Sequence, residues 1–563
     1  MSEIERADQA ETRAVSSPAP PRAWQFAIAF VALTLAAAII ALIFASGLRL
    51  GMDHKTAFGP ESEQNEIAIA LSETVYGLNL GYIGFATVHD KLVEIWNGGL
   101  DGHDPKLLEN CSDRDLLNKA ITEASSLGPQ TVGYVGDGTL VTAVYDDLGY
   151  VDLAKLSFAI FGRHIEAIYY MFFVLLSISA VVFIITFGFR VDALAVLLCA
   201  LLAFVIEMRT AIFFDGMPTV VGMRHSSTLA LIPMWHFLFL VVHRRRLSLV
   251  TGACALIQLA ILVLAMRIRG SAAWTVLLVI AVVFLMIFIT WLRQEARPRL
   301  IMKSVHSVTW WPAALMLGGV LANNMYMNEV LHPIYFTDDV MPYHGLWHSA
   351  VLGFDYELKL YSSPEAREAT DGDSRGYYEA LHYLDQVHFL PLPPSPDDAP
   401  LGYTSPWTNT YKTRLHDNIT RRVFFAAVAH HPFLIGKLYL RDKPKAIYSV
   451  IRLIFEKTET LNWLYWLLST GVITGLFLSF GSRSLLDYWP IGALGVGALA
   501  FAALPNLWAY SGFHAIADLF LTLLTIMVLA VAFTFHAILS GIQWLLRSRM
   551  TRASWRFPVG GSG

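Results

Sequence analysis

Long apolar stretches alternate with polar ones along this chain. Crossing ~30 Å of hydrocarbon at 1.5 Å per residue takes about 20 mostly apolar residues. Ten stretches reach or approach that length: 24–46, 166–188, 191–207, 226–242, 248–266, 272–292, 308–325, 461–480, 490–509 and 515–546. The third, fourth and seventh are short for the purpose. Two large polar segments interrupt the series, at 47–165 and 326–460. Each contains amphipathic helical patterns, NEIAIALSETVYG and DLAKLSFAIFG in the first and LHDNITRRVFFAAVAHHPFLIGKLYLRDKPKAIYSVIRLIFEK in the second. Basic residues crowd this last stretch as the chain returns to its apolar part, as in helices lying at a membrane interface. LPLPPSPDDAP, near 390–400, reads as an extended surface loop.

The expected fold is an all-α polytopic membrane protein of about 10 transmembrane helices. A membrane module, 23–325, carries the first insert; an external segment, 326–460, and C-terminal membrane helices, 461–546, follow. Residues 1–22, rich in charge, Ser, Pro and Ala, read as a disordered tail. Residues 547–563 form a second tail, whose GGSG reads as a flexible linker.

Composition narrows the class. Of 563 residues 55% are hydrophobic and 15% charged, too apolar for a soluble protein of this size. A net charge of −4 gives no basic field to attract nucleic acid. The three cysteines, Cys111, Cys199 and Cys254, offer neither a disulfide framework nor zinc-ligand spacing. Lys and Arg matter by position instead. With the N-terminus in the cytoplasm, Arg190, Arg244, Arg245, Arg246, Arg293, Arg297, Arg299, Lys303, Arg483 and the basic tail share the cytoplasmic side. The expectation is an inner-membrane protein with both termini cytoplasmic and both large segments periplasmic or extracellular.

The order of these parts resembles the GT-C superfamily of membrane glycosyltransferases, which use polyprenyl-phosphate-linked sugars. The resemblance rests on ESEQNEIAIALSE after the first span, KLSFAIFGRHIEAIYYMFFVLLSISAVVF entering the second, and AVAHHPFLIGKLYLRDKP before the eighth. It implies a GT-C-like fold, a lipid-phosphate sugar donor, and a glycan, lipid or protein acceptor. Matching NEIA to the family's helix places the catalytic acidic position nearest Glu61, although Pro60-Glu61 stands where the family commonly has Asp-Glu or Asp-Asp.

Such a reaction needs a carboxylate to take the acceptor's proton and cations to hold the departing phosphate. Asp53, Glu61, Glu63 and Glu66 lie close enough to the first span to reach the membrane surface, with Glu61 the first choice for base and Asp53 the reserve; a solvated loop face is the plainer reading. Asp146 and Asp147 can bind sugar hydroxyls, ligate a divalent cation, or cap the next helix. No cofactor is required. For phosphate the external candidates are Arg209, Arg224, His225, Arg267, Arg269, Lys437, Arg441, Lys443 and Lys445. Arg209 and Arg224 lead because they run against the positive-inside trend, with headgroup snorkelling as the alternative. His344, Trp347 and His348 suit a sugar-facing or structural surface, and two His four apart can bind a metal if helical. A non-catalytic membrane scaffold or assembly factor of the same fold, and a transporter, are the alternatives.

Overall fold

The structure is a computed structural model, which describes residues 23–53, 67, 70–71, 73–75, 118, 121–122, 125–126, 149–210, 226–293, 309–330, 346–369, 372–386, 414–457, 460–479, 488–509 and 516–554. Among these residues regular structure is helical throughout, with no strand. A helix lies at each of the ten apolar stretches: α1 (Ala23–Asp53), α3 (Glu166–Phe187), α4 (Val191–Thr210), α5 (Leu231–Val242), α6 (Leu249–Ile268), α7 (Trp274–Arg293), α8 (Trp311–Val330), α15 (Thr460–Ser479), α16 (Trp489–Trp508) and α17 (Ile516–Ser554). Between α1 and α3 lies α2 (Gly149–Phe161). Between α8 and α15 come α9 (Leu346–Leu352), α10 (Pro364–Glu368), α11 (Gly372–Gln386), α12 (Arg414–His430), α13 (Pro432–Lys437) and α14 (Lys443–Lys457).

Five helices are long and apolar enough to cross a bilayer: Glu166–Phe187, Leu249–Ile268, Gly270–Leu292, Pro490–Trp508 and Ala517–Leu546. Phe30–Ala45, Val191–Ile206, Ser227–Val242 and Leu464–Ser479 are apolar but shorter. α8 belongs to neither set, since its last turns carry Asn323, Asn324, Asn328 and Glu329. α12 and the run α13–α14 would add a sixth crossing only as one span, and they are bent by 103° where Pro432 begins the second part. Proline has no N–H to continue the preceding helix, which is why the break falls there.

The bundle is built around α4. Every residue from 192 to 206 is buried, and α1, α3, α5, α15 and α17 all pack on it. A helix apolar on all sides requires such a surround. Side-chain contacts show the helices alternating in direction. Phe44 near the end of α1 meets Tyr170 and Phe173 near the start of α3; the end of α6 meets the start of α2; and Ser227, just before α5, meets Asp518 at the start of α17. These contacts lie at the end from which both large polar segments emerge, called the insert end below. At the opposite, arginine end, Arg190 and His243 meet, Arg245 donates to Thr186 O at 3.2 Å, and Trp311 Nε1 donates to Arg245 O at 2.9 Å.

α15 and α17 run parallel and come unusually close because α15 carries a Gly-x-x-x-Gly pair. A Cβ on Gly471 would lie 2.2 Å from Val531 Cγ1, and one on Gly475 2.8 Å from the Ala532 carbonyl. Small residues four apart let backbones meet where no hydrophobic effect drives association.

The second segment has a core of its own, separate from the bundle's. Val351, Phe354, Tyr361, Phe424 and Leu438 are buried together across α9, the turns that follow it, α12 and the turn after α13. Polar side chains hold the short helices in place. Glu379 accepts the backbone N–H groups of Ser362 and Ser363 at 2.8–2.9 Å, and Asp417 accepts those of Trp347 and His348 at 2.8 and 3.1 Å. The latter caps α9 from another helix, supplying an acceptor for amides that a first turn leaves unpaired.

Candidate functional site: an acid–base layer at the insert end

Two ion pairs at the insert end collect on α2, which joins the first insert to the bundle. Ile67, Ala70 and Leu71 recur at helical spacing and are buried. This seats the turn carrying Glu73 and Thr74 against α2, where Thr74 Oγ1 lies 3.4 Å from the Lys155 carbonyl. Glu73 Oε2 is 2.7 Å from Lys155 Nζ, and the Glu73 side chain is only 5% exposed.

One turn earlier on α2, Asp152 pairs with Arg267 of α6. Each partner sits where its helix favours it. Asp152 lies in the first turn of α2 and Arg267 in the last turn of α6, so the partial charges of both helix ends add to the pair. Arg267 also covers the ring of Tyr326 from α8, 5.9 Å from its centroid. Burial holds Asp152 above the ordinary carboxylate range; Arg267 opposes this and the nearby Glu73 charge reinforces it.

A third carboxylate starts α3. Glu166 is 3% exposed, lies 3.0 Å from His164 Nδ1, and accepts from Asn118 Nδ2 at 3.3 Å. Asn118 Oδ1 in turn accepts the Ile165 N–H at 3.1 Å, tying the middle of the first insert to the same layer. The insert end thus carries Glu73, Asp152 and Glu166, partnered respectively by Lys155, by Arg267, and by His164 with Asn118. Paired carboxylates and cations of this kind can exchange partners. A phosphate reaching this end would compete for Lys155 and Arg267, and the carboxylate it displaced could then take up a proton.

The second segment docks on the same end of the bundle through Lys443. Its ammonium is fully buried and donates to the carbonyls of Leu507, Trp508 and Ala509 at 2.7, 2.8 and 3.2 Å, closing the C-terminus of α16. It also lies 4.4 Å from the Tyr439 ring centroid. Gly353 leaves the room, since a Cβ there would be 2.1 Å from Nζ. Burial pushes the Lys443 pKa down to about 7. Trp508 Nε1 adds a 2.8 Å bond to the Leu346 carbonyl, and its ring packs on Trp347 and Phe424.

Of the residues singled out in the sequence, Glu61, Glu63, Glu66, Arg224, His225, Asp146, Asp147 and His344 lie outside the described residues. Asp53 ends α1 and Arg209 lies in the last turn of α4; their backbones are described and their side chains are not. Trp347 packs against Phe424, Phe425 and Trp508. His348 is buried, with Nδ1 3.0 Å from His416 Nε2. Among the described residues no three His, Cys, Asp or Glu side chains gather as a metal site. Lys443, weighed for phosphate, is instead engaged by three carbonyls.

Arg267 was among the phosphate candidates. Glu73, Asp152, Lys155 and Glu166 were not singled out, though two signals pointed to the first three. NEIAIALSETVYG carries Glu73 two residues after the apolar run 67–71, and Asp152 and Lys155 stand three apart on one face of the approach helix. No family model, curated protein or solved structure matches this chain.

Proposed function

We propose that the chain is a GT-C-like membrane glycosyltransferase. It transfers a sugar from a polyprenyl-phosphate donor to an acceptor hydroxyl at the insert end of the bundle. The observation that supports this most is the seating of both polar segments on that one end, the first through the Glu73–Lys155 and Asp152–Arg267 pairs and the second through Lys443. A lipid-borne phosphate and a water-borne acceptor meet at such a level, where charged groups stand against apolar helices.

In this reading Lys155 and Arg267 join Arg209 and Arg224 in holding the donor phosphate. A carboxylate of the first insert takes the acceptor proton, with Glu61 first, Asp53 in reserve, and Glu73 added from the structure. The acceptor oxygen bonds to the anomeric carbon as the bond from that carbon to the phosphate oxygen breaks, and its electron pair leaves on polyprenyl phosphate. A scaffold of the same fold is the second reading. It is favoured by Pro60-Glu61 and by the pairing of Glu73 and Asp152 with cations.

The test compares transfer from a radiolabelled polyprenyl-phosphate sugar by wild type, Glu61→Gln, Asp53→Asn and Glu73→Gln in proteoliposomes. Loss of the base is expected to slow turnover by 100-fold or more, the low end of general-base contributions being about 10². Equal transfer by all four proteins would refute the base assignment.

A further inference from the structure

The second segment presents a surface that neither its own core nor the bundle absorbs. Along α13, the π turn Leu438–Asp442 and α14, the inward side is Leu438, Lys443 and Ile447, all buried. The outward side is the opposite of a solvated face. Phe433 is 91% exposed, Leu440 85% and Tyr448 65%, spaced seven and eight residues apart and so aligned along one stripe.

Basic residues flank the stripe. Lys437 is paired with Glu357 and Asp442, and Arg452 with Glu456, so both cations are already engaged. Arg441 and Lys445 are exposed beside it and form no ion pair among the described residues. α14 itself packs on α16, a helix apolar enough to cross a bilayer, whose Val496 and Leu504 are also exposed.

We infer that α13–α14 is a lipid-docking element: Phe433 and Leu440 enter the bilayer surface while Arg441 and Lys445 bind the phosphate groups of anionic lipids. Large apolar side chains beside uncompensated cations are the composition an interfacial helix needs, the first for the acyl boundary and the second for the headgroups. The Lys443 contacts to α16 hold the element at the depth where that span ends. This surface does not depend on the glycosyltransferase reading and would serve a scaffold equally.

The test uses the full chain in nanodiscs, with Cys111, Cys199 and Cys254 replaced and a fluorophore attached at Phe433→Cys, Leu440→Cys or, as a control on α11, Gln386→Cys. Quenching by brominated phosphatidylcholine reports depth, and the ratio of quenching by brominated phosphatidylglycerol to brominated phosphatidylcholine reports headgroup choice. Positions 433 and 440 should be quenched strongly and position 386 not. The headgroup ratio at 433 should exceed unity, by up to about fivefold per contacting basic residue, and fall to one in Arg441→Gln/Lys445→Gln while depth quenching persists. Quenching at 433 and 440 no greater than at 386 would overturn the docking surface and leave a protein partner as its occupant. A ratio of one in the parent protein would overturn the headgroup assignment.

Discussion

Replacing Lys443 with Met keeps the volume of the buried side chain and removes its charge. The lysine makes three donor contacts to the end of α16, and contacts of an ionised donor are individually worth about 1.5–3 kcal/mol. Against them stands the burial that lowers its pKa from 10.5 to about 7. At ~1.4 kcal/mol per tenfold change in proton affinity, that difference corresponds to about 5 kcal/mol. The sign follows from where the proton sits. Below pH about 7 the lysine is charged in folded and unfolded chains alike, and the burial penalty acts in full. Between pH 7 and 10.5 the unfolded chain holds the extra proton, so stability rises with pH. From pH 6 to pH 9 wild type should therefore gain about 2–3 kcal/mol relative to Lys443→Met. Pulse proteolysis of the full chain in micelles, following cleavage within 346–457 across urea, measures that difference at each pH. A difference that stays flat, or shrinks as pH rises, would refute the reasoning and mean that the three carbonyls keep the ammonium charged throughout.

Three further outcomes follow from the packing. Gly475→Val should destabilise the α15–α17 contact by about 1–3 kcal/mol or more, because even its Cβ meets the Ala532 carbonyl; the thermal midpoint in micelles reads this, and an unchanged value would contradict the close approach. Arg244 stands at φ 48° in the turn that ends α5, with Arg245 N–H donating to Leu240 O and Arg244 N–H to Val241 O, so Arg244→Gly should stabilise by about 1 kcal/mol and Arg244→Val should not. Lys155→Met removes the cation from a carboxylate 5% exposed, whereas Arg267→Gln removes it from one 39% exposed. Urea midpoints should show the first costing about 3–5 kcal/mol and the second nearer 1.

The positions of the ten bundle helices were legible because length and apolarity are local properties, and each apolar stretch falls on a helix. Whether all ten cross a membrane is a finer matter, since 191–206 and 227–242 owe their burial to neighbouring helices as much as to their own length. The break between α12, ending at His430, and α13, starting at Pro432, follows from the proline itself, a local cause. The partners of charged residues were not. Nothing near Lys443 in sequence announces that its acceptors lie at 507–509, and the same exposed-looking run of basic residues that drew attention as a phosphate cluster divides into a buried Lys443 and exposed Arg441 and Lys445. Asp152 and Arg267 are separated by a long stretch of chain, and only the crossing of α2 over the end of α6 brings them together. The Gly471-x-x-x-Gly475 pair was not singled out in the sequence, and its partner α17 emerges only from the packing.

The central claim is that a sugar leaves a lipid phosphate at the insert end. Proteoliposomes holding the wild-type chain, a polyprenyl-phosphate sugar labelled in the sugar, and a membrane extract as the source of acceptors test it most directly. The account predicts release of polyprenyl phosphate with label passing to acceptor, and loss of both when Glu61 and Glu73 are changed to Gln together. Intact donor at the level of empty liposomes, with the wild-type protein folded and inserted, would contradict it.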